Sequence, residues 1–375
     1  MTTLQWLATK MRTGEVIADL PDLADQGGGD LTVASQMGDY QTCIAALPLP
    51  TAPENWERAT MEGATTMVLM QDEVPVWGGY IVQGIRTAGD EIVMSLATLE
   101  YWLDQVYVGD ETFSQVGQNS IVSYLVTKYA TNGALAGIPI RVQITSGGVG
   151  KLRDRTYLDT DNKTLLSILQ DLAGVDGGPE WTIGLEHLTE PERYTFVLYV
   201  GDRIGTAVTP GLSPAATFEM PGPVTEFRHQ ANFGSGKGAT VVKAYSSGQG
   251  TSQPQSAVQS VTDSERPRFE YRWTPSTSIT EVSTLNSYAT SRLAQIKGGT
   301  KTISLSAAAN DAPRLGADWV TGDDIGYQIG GLDGDGRDTV PAFPGGLAGV
   351  VRAIGWTLTV SDTPIVTPVL AGSTL

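Results

Sequence analysis

This 375-residue chain has one cysteine, two histidines and no long apolar run, and each shortage closes off a class of function. Cys43 alone can form neither an intrachain disulfide nor a thiolate zinc cage; inside a strand-like stretch it reads as a small hydrophobe. His187 and His229 stand in neither an H-E-x-x-H nor an H-x-H context, so metalloprotease and zinc-amidase chemistry has no ligand set. No apolar stretch approaches the roughly 18 residues that a bilayer span needs. The start, Met1-Thr-Thr-Leu-Gln-Trp-Leu7, lacks a basic segment followed by an apolar one, so no export signal and a soluble product are expected. No serine lies in a G-x-S-x-G frame, which excludes an α/β-hydrolase elbow.

Basic residues are scarce as well: 24 Lys and Arg against 41 Asp and Glu give a net charge of −17. The deficit is uneven. Residues 1–127 carry 17 acidic and 4 basic side chains, whereas 128–375 carry 24 and 20. An acidic N-terminal third repels phosphate backbones, so specific nucleic-acid binding is disfavoured. It reads either as a solubilising surface or as a wall past which DNA slides without sticking. Residues 221–310 run the other way, with 5 acids and 9 bases.

What the chain does have is turn formers: 44 glycines and 20 prolines, beside enough apolar residues (41%) to build cores. That mixture favours short strands, and the length calls for two to four domains. Thr65-Thr-Met-Val-Leu-Met70, Val76-Trp-Gly-Gly-Tyr-Ile-Val82 and Ile92-Val-Met-Ser-Leu-Ala97, punctuated by Gln71-Asp-Glu73 and Ala88-Gly-Asp90, predict an antiparallel meander. Gly78 and Gly79 inside a strand predict a bulge or a barrel corner. Further strands are expected at Thr195–Val200, Ala239–Tyr245, Lys301–Leu305 and Ala348–Ile354.

Three isolated helices are expected. The first is capped by Asn119 or Ser120, with Ile121, Tyr124, Leu125 and Tyr129 on its apolar face and Asn132-Gly133 as its end. The second is capped by Asp161, buries Leu165, Ile168, Leu169 and Leu172, and stops at Gly174. The third opens with a capping box, Ser278-Ile-Thr-Glu281, and repeats Ile279, Val282, Leu285, Ala289, Leu293 and Ile296 at helical spacing. Helices that do not alternate with strands argue against a doubly wound sheet. The fold class is therefore α+β and β-rich, with several β-barrel-like modules and a few isolated helices. The expected modules are 1–110 (barrel-like, completed by strands around 221–245), 111–220 (two helices), 221–300 (strands, a Ser/Gly-rich loop and the capped helix) and 301–375 (barrel-like). Ser246–Ser264 reads as a mobile loop or linker.

The search for chemistry assigns no catalytic, cofactor-binding or metal residue. Gly234-Ser-Gly-Lys-Gly238 fails as a phosphate loop, because Gly238 replaces the required Ser/Thr and a strand follows rather than a helix; it reads as a hairpin tip. Asp333, Asp335 and Asp338 have alternating spacing, but Asp338 and Pro344 stand where a calcium loop needs glycine and glutamate. Whether these three bind a cation stays open; a solvated turn is the plainer reading. Glu180-Trp181 and Glu219 are of the kind a glycosidase uses, since carboxylates on facing strands leave no spacing signature. Trp77, Trp102 and Trp356 read as core.

Three stretches, in order along the chain, resemble minor tail proteins of siphophages infecting actinobacteria, in the family of the tail-tip (baseplate) hub. They are Leu47–Thr60 with Val76–Ile81 and Leu99-Glu-Tyr-Trp-Leu103; Arg153-Asp-Arg-Thr-Tyr157 with Asp161–Leu165 and Gly177-Gly-Pro-Glu-Trp-Thr-Ile183; and Ala239–Tyr245 with the third helix and Thr321-Gly-Asp-Asp-Ile325. The resemblance implies a phage tail hub-like fold. It implies three copies in a ring with two barrel modules each, joining the tail tube to a distal spike or fibre and lining the channel for DNA ejection. The implied partners are a homotrimer, a distal tail protein or tail tube above, the tape measure protein, central spike or fibre proteins below, and DNA in transient, non-specific passage. The implied location is the virion tail tip, after assembly in the host bacterial cytoplasm, with no enzymatic role and no cofactor. Two other readings stay open: a receptor- or carbohydrate-binding tail protein and a tail-associated cell-wall hydrolase.

Overall fold

The computed structural model describes residues 3–132, 137–175, 177–209, 211–248, 250–275, 277, 279 and 281–372. Two units emerge: a larger one comprising the chain up to Phe227 and Leu305–Ala371, and a smaller one, Arg228–Ser304.

In the larger unit the first hundred residues form β1 (Leu4–Lys10), β2 (Val16–Leu20), β3 (Leu31–Gln36), β4 (Thr42–Pro48), β5 (Thr65–Gln71), β6 (Val74–Arg86) and β7 (Glu91–Thr98), with one-turn helices α1 (Trp56–Ala59) and α2 (Glu100–Leu103). All but β3 join a half-barrel sheet in the order β2-β1-β5-β6-β7-β4. The expected meander is β5-β6-β7. Its first turn is a two-residue hairpin in which Asp72 and Glu73 both take positive φ, 50° and 67°, as the twist of such a hairpin requires. Two bulges fall beside the glycine pair rather than on it, at Val76 and Val82, where the register of β6 skips against β5 and β7. The glycines serve close packing instead. A Cβ on Gly78 would lie 2.4 Å from a methyl of Leu185, and one on Gly79 would lie 2.4 Å from the Trp77 ring.

The next stretch contributes β8 (Glu111–Gly117), α3 (Gln118–Leu125), β9 (Ile140–Ile144), β10 (Leu152–Tyr157), α4 (Leu165–Ala173), β11 (Glu180–Thr189) and β12 (Glu192–Gly201). β10 pairs with β8, and β11-β12-β9 form a small sheet in which β9 runs parallel to β12. Ile121, Leu125, Leu165, Ile168, Leu169, Leu172, Trp181 and Phe196 share its core. The caps differ from expectation. Thr164, not Asp161, caps α4, its hydroxyl accepting from Ser167 N at 3.2 Å; Asp161 closes a separate 3-10 turn. Gly174 ends α4 as expected. α3 starts two or three residues early, behind Gly117, without a side-chain cap. Asn119 lies inside that helix and donates instead to the Ser146 and Gly148 carbonyls. A π-helical turn, Val126–Thr131, extends α3 and rotates its face. Val122, Val126 and Ala130 are buried beside Ile121 and Leu125, while Tyr124, expected on that face, is exposed. Gly133, the expected stop, lies outside the described residues.

β13 (Thr217–Met220) and β14 (Val224–Asn232) follow. The smaller unit holds β15 (Val241–Ala244), β16 (Gln259–Ser260), β17 (Glu270–Trp273) and α5 (Val282–Ile296), and the chain ends with β18 (Thr300–Ala308), β19 (Asp324–Ile329), β20 (Leu347–Val360) and β21 (Ile365–Leu370). The second large sheet runs β13-β19-β20-β21-β18-β14, and β3 adds to it by pairing with β20. Contrary to expectation, the strands around 221–245 do not pair with the first sheet: β14 belongs to the second and β15 to a third. The exchange runs the other way. Leu31–Gln36 crosses to β20, where a Cβ on Gly355 would sit 2.5 Å from the Ser35 carbonyl oxygen. Only glycine permits that approach.

In the smaller unit β16-β15-β17 form a sheet covered on one face by α5. Leu285, Ala289, Leu293 and Ile296 pack on Ala239, Val242 and Ala244, with Ile279 at the edge. Val282, expected on that face, is exposed, and Ser278 of the expected capping box lies outside the described residues. The Ser/Gly-rich stretch is no linker. It contributes β16 and is tied down where Ala244 N donates to the Ser256 hydroxyl and Gln253 donates to the Ser246 carbonyl. Side-chain to backbone bonds of this kind substitute for missing apolar bulk.

Candidate functional site

The strongest polar constellation lies in the larger unit, where β11 and the segment after β12 meet β19 and β20. Arg352 grips both oxygens of Glu180 with its two terminal nitrogens and donates to the Ile204 carbonyl at 2.8 Å and the Gly322 carbonyl at 3.1 Å. Glu180 also accepts from Ile204 N at 2.7 Å. Beside it, Arg203 donates to Asp324 at 2.6 Å, and the second Asp324 oxygen accepts from Val208 N at 3.0 Å. Burial by itself pushes the Glu180 carboxyl up; the Arg352 guanidinium and the Ile204 N–H outweigh it and hold it below the ordinary carboxylate range. Asp324 is lowered in the same way: burial opposes, while the Val208 N–H and Arg203 prevail. Held on both oxygens by a bidentate arginine and on one by a backbone N–H, Glu180 serves as a fastener between these elements.

Glu180 thus answers the glycosidase reading. Its neighbour Trp181 is fully buried, and Glu219 is an exposed residue on the edge strand β13. None of the eight tryptophans is exposed; Trp77, for example, donates to the Ala34 carbonyl at 2.9 Å. Arg352, Arg203 and Asp324 escaped the sequence reading. A lone arginine in the apolar run Ala348-Gly-Val-Val-Arg-Ala-Ile354 was the available signal, since arginine is rarely buried without a partner.

The remaining candidates are also occupied structurally. His187 stacks on Tyr194, with ring centroids 4.5 Å apart, and its Nε2 lies 3.5 Å from Glu192; His229 lies on β14. Cys43 is half-buried on β4, and burial, with Asp25 nearby, pushes its thiol up to about 12, so it is a neutral thiol. Asp333 accepts from the backbone of Asp335 and Arg337, and Asp338 from Gly345 N, which are turn-forming bonds. Among the described residues no group of three or more His, Cys, Asp or Glu is arranged to hold a metal ion. Gly234–Gly238 forms a tight turn in which Lys237 N and Gly238 N donate to the Gly234 carbonyl. A concave pocket of 520 Å³ between β6, β11 and residues 315–321 is walled by Val76, Ile183, Leu185, Leu315 and Trp356. His187 and Tyr199 also border it, with no carboxylate in its lining.

One carboxyl stands apart. Glu100, at the start of α2, is almost wholly buried. It accepts from Ile183 N at 3.2 Å, and burial pushes it up to about 7. It links α2 to β11 and borders only a 30 Å³ cavity, too small for a substrate.

No family model matches the sequence, and no curated protein matches it. Solved structures do. The 43 kDa tail protein of prophage MuSo2 from Shewanella oneidensis superposes with a TM-score of 0.55 at 13% identity, covering 98% of each chain. The tail protein from Neisseria meningitidis MC58 gives 0.54 at 13% identity, over 97% of this chain and 96% of that one. A chain of the Francisella PdpA–VgrG complex in its lidded form gives 0.54 at 8% identity; it is matched by the whole of this chain over 53% of its own length. The fold is that of phage tail proteins, β-rich and hub-like. Among the described residues no helix is long and apolar enough to cross a membrane.

Proposed function

We propose that the chain is a structural subunit of a bacteriophage tail tip, without enzymatic activity. Three copies form a hub ring that joins the tail tube to the distal spike or fibre and lines the channel for DNA ejection. The observation that carries this reading is the match of the fold, end to end, to a prophage tail protein, 98% of each chain. The engaged state of Glu180, His187 and Asp324 supports it, because the polar groups that could do chemistry hold elements together instead. Within this proposal the modules are 1–110, 111–220, 221–300 and 301–375. The acidic N-terminal third lines the lumen, and the basic 221–310 segment meets acidic neighbours. The neighbours are a distal tail protein or tail tube, the tape measure protein and the spike or fibre proteins of a siphovirus of actinobacteria; the site of action is the virion.

Mass photometry of the full chain, followed by electron microscopy of particles with the subunit located by antibody, tests the reading. A trimer and a label at the tail tip are expected. A monomer at all concentrations, or release of muropeptides from purified peptidoglycan, overturns it.

A further inference from the structure

We propose that the smaller unit docks, through the face of its sheet turned away from α5, onto an acidic groove in the larger unit of a second copy. This rests on the ring reading above and names the two surfaces that would make the ring.

The basic side follows from strand geometry. Val242 and Ala244 lie against α5. Side chains alternate along a strand, so Lys243 and Tyr245 turn to the opposite face. β17 runs parallel to β15 with Arg272 level with Lys243. Both cations lie over the Tyr245 ring, Lys243 Nζ at 5.5 Å and the Arg272 guanidinium at 5.8 Å from its centre. Arg268 and Arg272 share the single carboxylate of Glu270, and both arginine side chains are about two-thirds exposed. Lys243 has no ion pair among the described residues. Positive charge is thus in excess on this face, and Arg228–Ser304 as a whole carries nine basic and four acidic side chains.

The acidic side lies in the loop from β2 to β3 and the turn from β20 to β21. Asp22, Asp30 and Asp362 border a 550 Å³ groove with walls from Leu23, Val360 and Pro364. All three are exposed, and none of their carboxylates has an ion pair or hydrogen bond among the described residues. Outside Arg228–Ser304 the chain carries 37 acidic and 15 basic side chains, a net of −22 against +5 inside.

A three-membered ring closes only through a heterologous contact, in which one patch meets a different patch on the next copy. A chain with one uncompensated cationic face and one uncompensated anionic groove supplies such a pair, and opposite charge sets both encounter and register. A phosphate polymer is the rival occupant of the basic face. The aromatic-backed cations suit it, but the −22 that travels with them opposes it at long range.

Sedimentation velocity of the full chain, across concentration and salt, tests the proposal. Lys243→Glu with Arg272→Glu is expected to weaken self-association at least ~10-fold. Adding Asp22→Lys and Asp362→Lys in the same chain is expected to restore it. Circular dichroism confirms folding, and the milder Lys243→Gln with Arg272→Gln is expected to give an intermediate loss. A trimer unmoved by the reversal, or a fourfold variant that stays dissociated while folded, overturns the docking surfaces and leaves the ring reading standing. A wild-type chain that stays monomeric overturns the ring and the docking together. Binding of a single-stranded DNA oligonucleotide that the Lys243/Arg272 reversal abolishes, with assembly unchanged, hands the face to a polyanion and overturns the proposal.

Discussion

In the larger unit an arginine is drawn inward: Arg352 spends its donors on Glu180 and two carbonyls, with less than a fifth of its side chain exposed. In the smaller unit the equivalent charge is laid on the surface, where Arg272 rests over Tyr245 with two-thirds of its side chain in solvent. The same residue type serves two ends because its surroundings differ. Where strands from distant parts of the chain must be fastened, a largely buried pair with two charge-assisted bonds and a backbone N–H gives directional strength. Where the charge remains in water, it contributes little to folding and is free to meet a partner. The cores differ in parallel. The cluster joining α3, α4 and the β11 sheet has many buried members, whereas α5 seals its sheet with only a handful. The smaller unit is therefore the more easily opened of the two.

Truncation of the α5 seam should break the contrast most visibly. Leu285→Ala removes a fully buried side chain and is expected to cost about 3 kcal/mol, within the usual range for such cavities. Hydrogen exchange should show it as loss of protection in β15 and β17 while β5 stays protected. Equal loss in both units would show that they unfold as one.

Glu100→Gln comes next and has the opposite sign. The native carboxyl titrates near 7, above the ordinary 4.5, so the folded state binds the proton more tightly and wild-type stability rises as pH falls from about 7 toward 4.5. Above 7 the buried charge costs the full difference, up to roughly 3 kcal/mol. The amide removes that cost. Thermal unfolding at pH 8 should shift upward in the variant, with the gap closing by pH 4.5; no gap at pH 8 would mean that Glu100 is solvated.

Glu180→Ala leaves Arg352 without its partner, and about 2 kcal/mol of destabilisation is expected after allowing for partial exposure. The pH signature runs opposite to that of Glu100. A depressed carboxyl stabilises above its unfolded pKa, and that contribution is lost as pH falls through the folded value. Wild type and Glu180→Ala should therefore converge in acid, which urea midpoints measured at falling pH would follow. The smallest effect is at a cap: Thr164→Ala should cost about 1 kcal/mol, read from the same urea midpoints. A null result there would return the capping role to Asp161.

Much of the local structure was legible because it depends on neighbours in sequence. The β-rich runs and turn residues of 65–98 locate β5 to β7, and helical spacing gives the buried faces of α4 and α5. Errors arose where a second local solution was available. Asp161 and Thr164 are both good caps, and only packing chooses between them; Asn119 looked like a cap but found carbonyls across a loop. The Ser/Gly-rich stretch lacked apolar residues, yet its hydroxyls and amides pin it to β15. The polar site was the least legible. Glu180 stood out through its place beside a tryptophan, but its meaning changed once Arg352, 172 residues away, proved to hold it.

By itself the sequence determined the β-rich character, the β5–β7 meander, the positions of three helices, the separation of charge between segments and the scarcity of cysteine and histidine. These follow from composition, from periods of two and 3.6 residues, and from backbone restrictions that act within a few positions. Only the tertiary structure decided that β3 leaves the first sheet for β20, that Glu180 is locked rather than reactive, and that Lys243 and Arg272 share one face. Each joins residues far apart in the chain, and hydrogen-bond registers and ion pairs between distant segments carry no periodic trace in either segment alone.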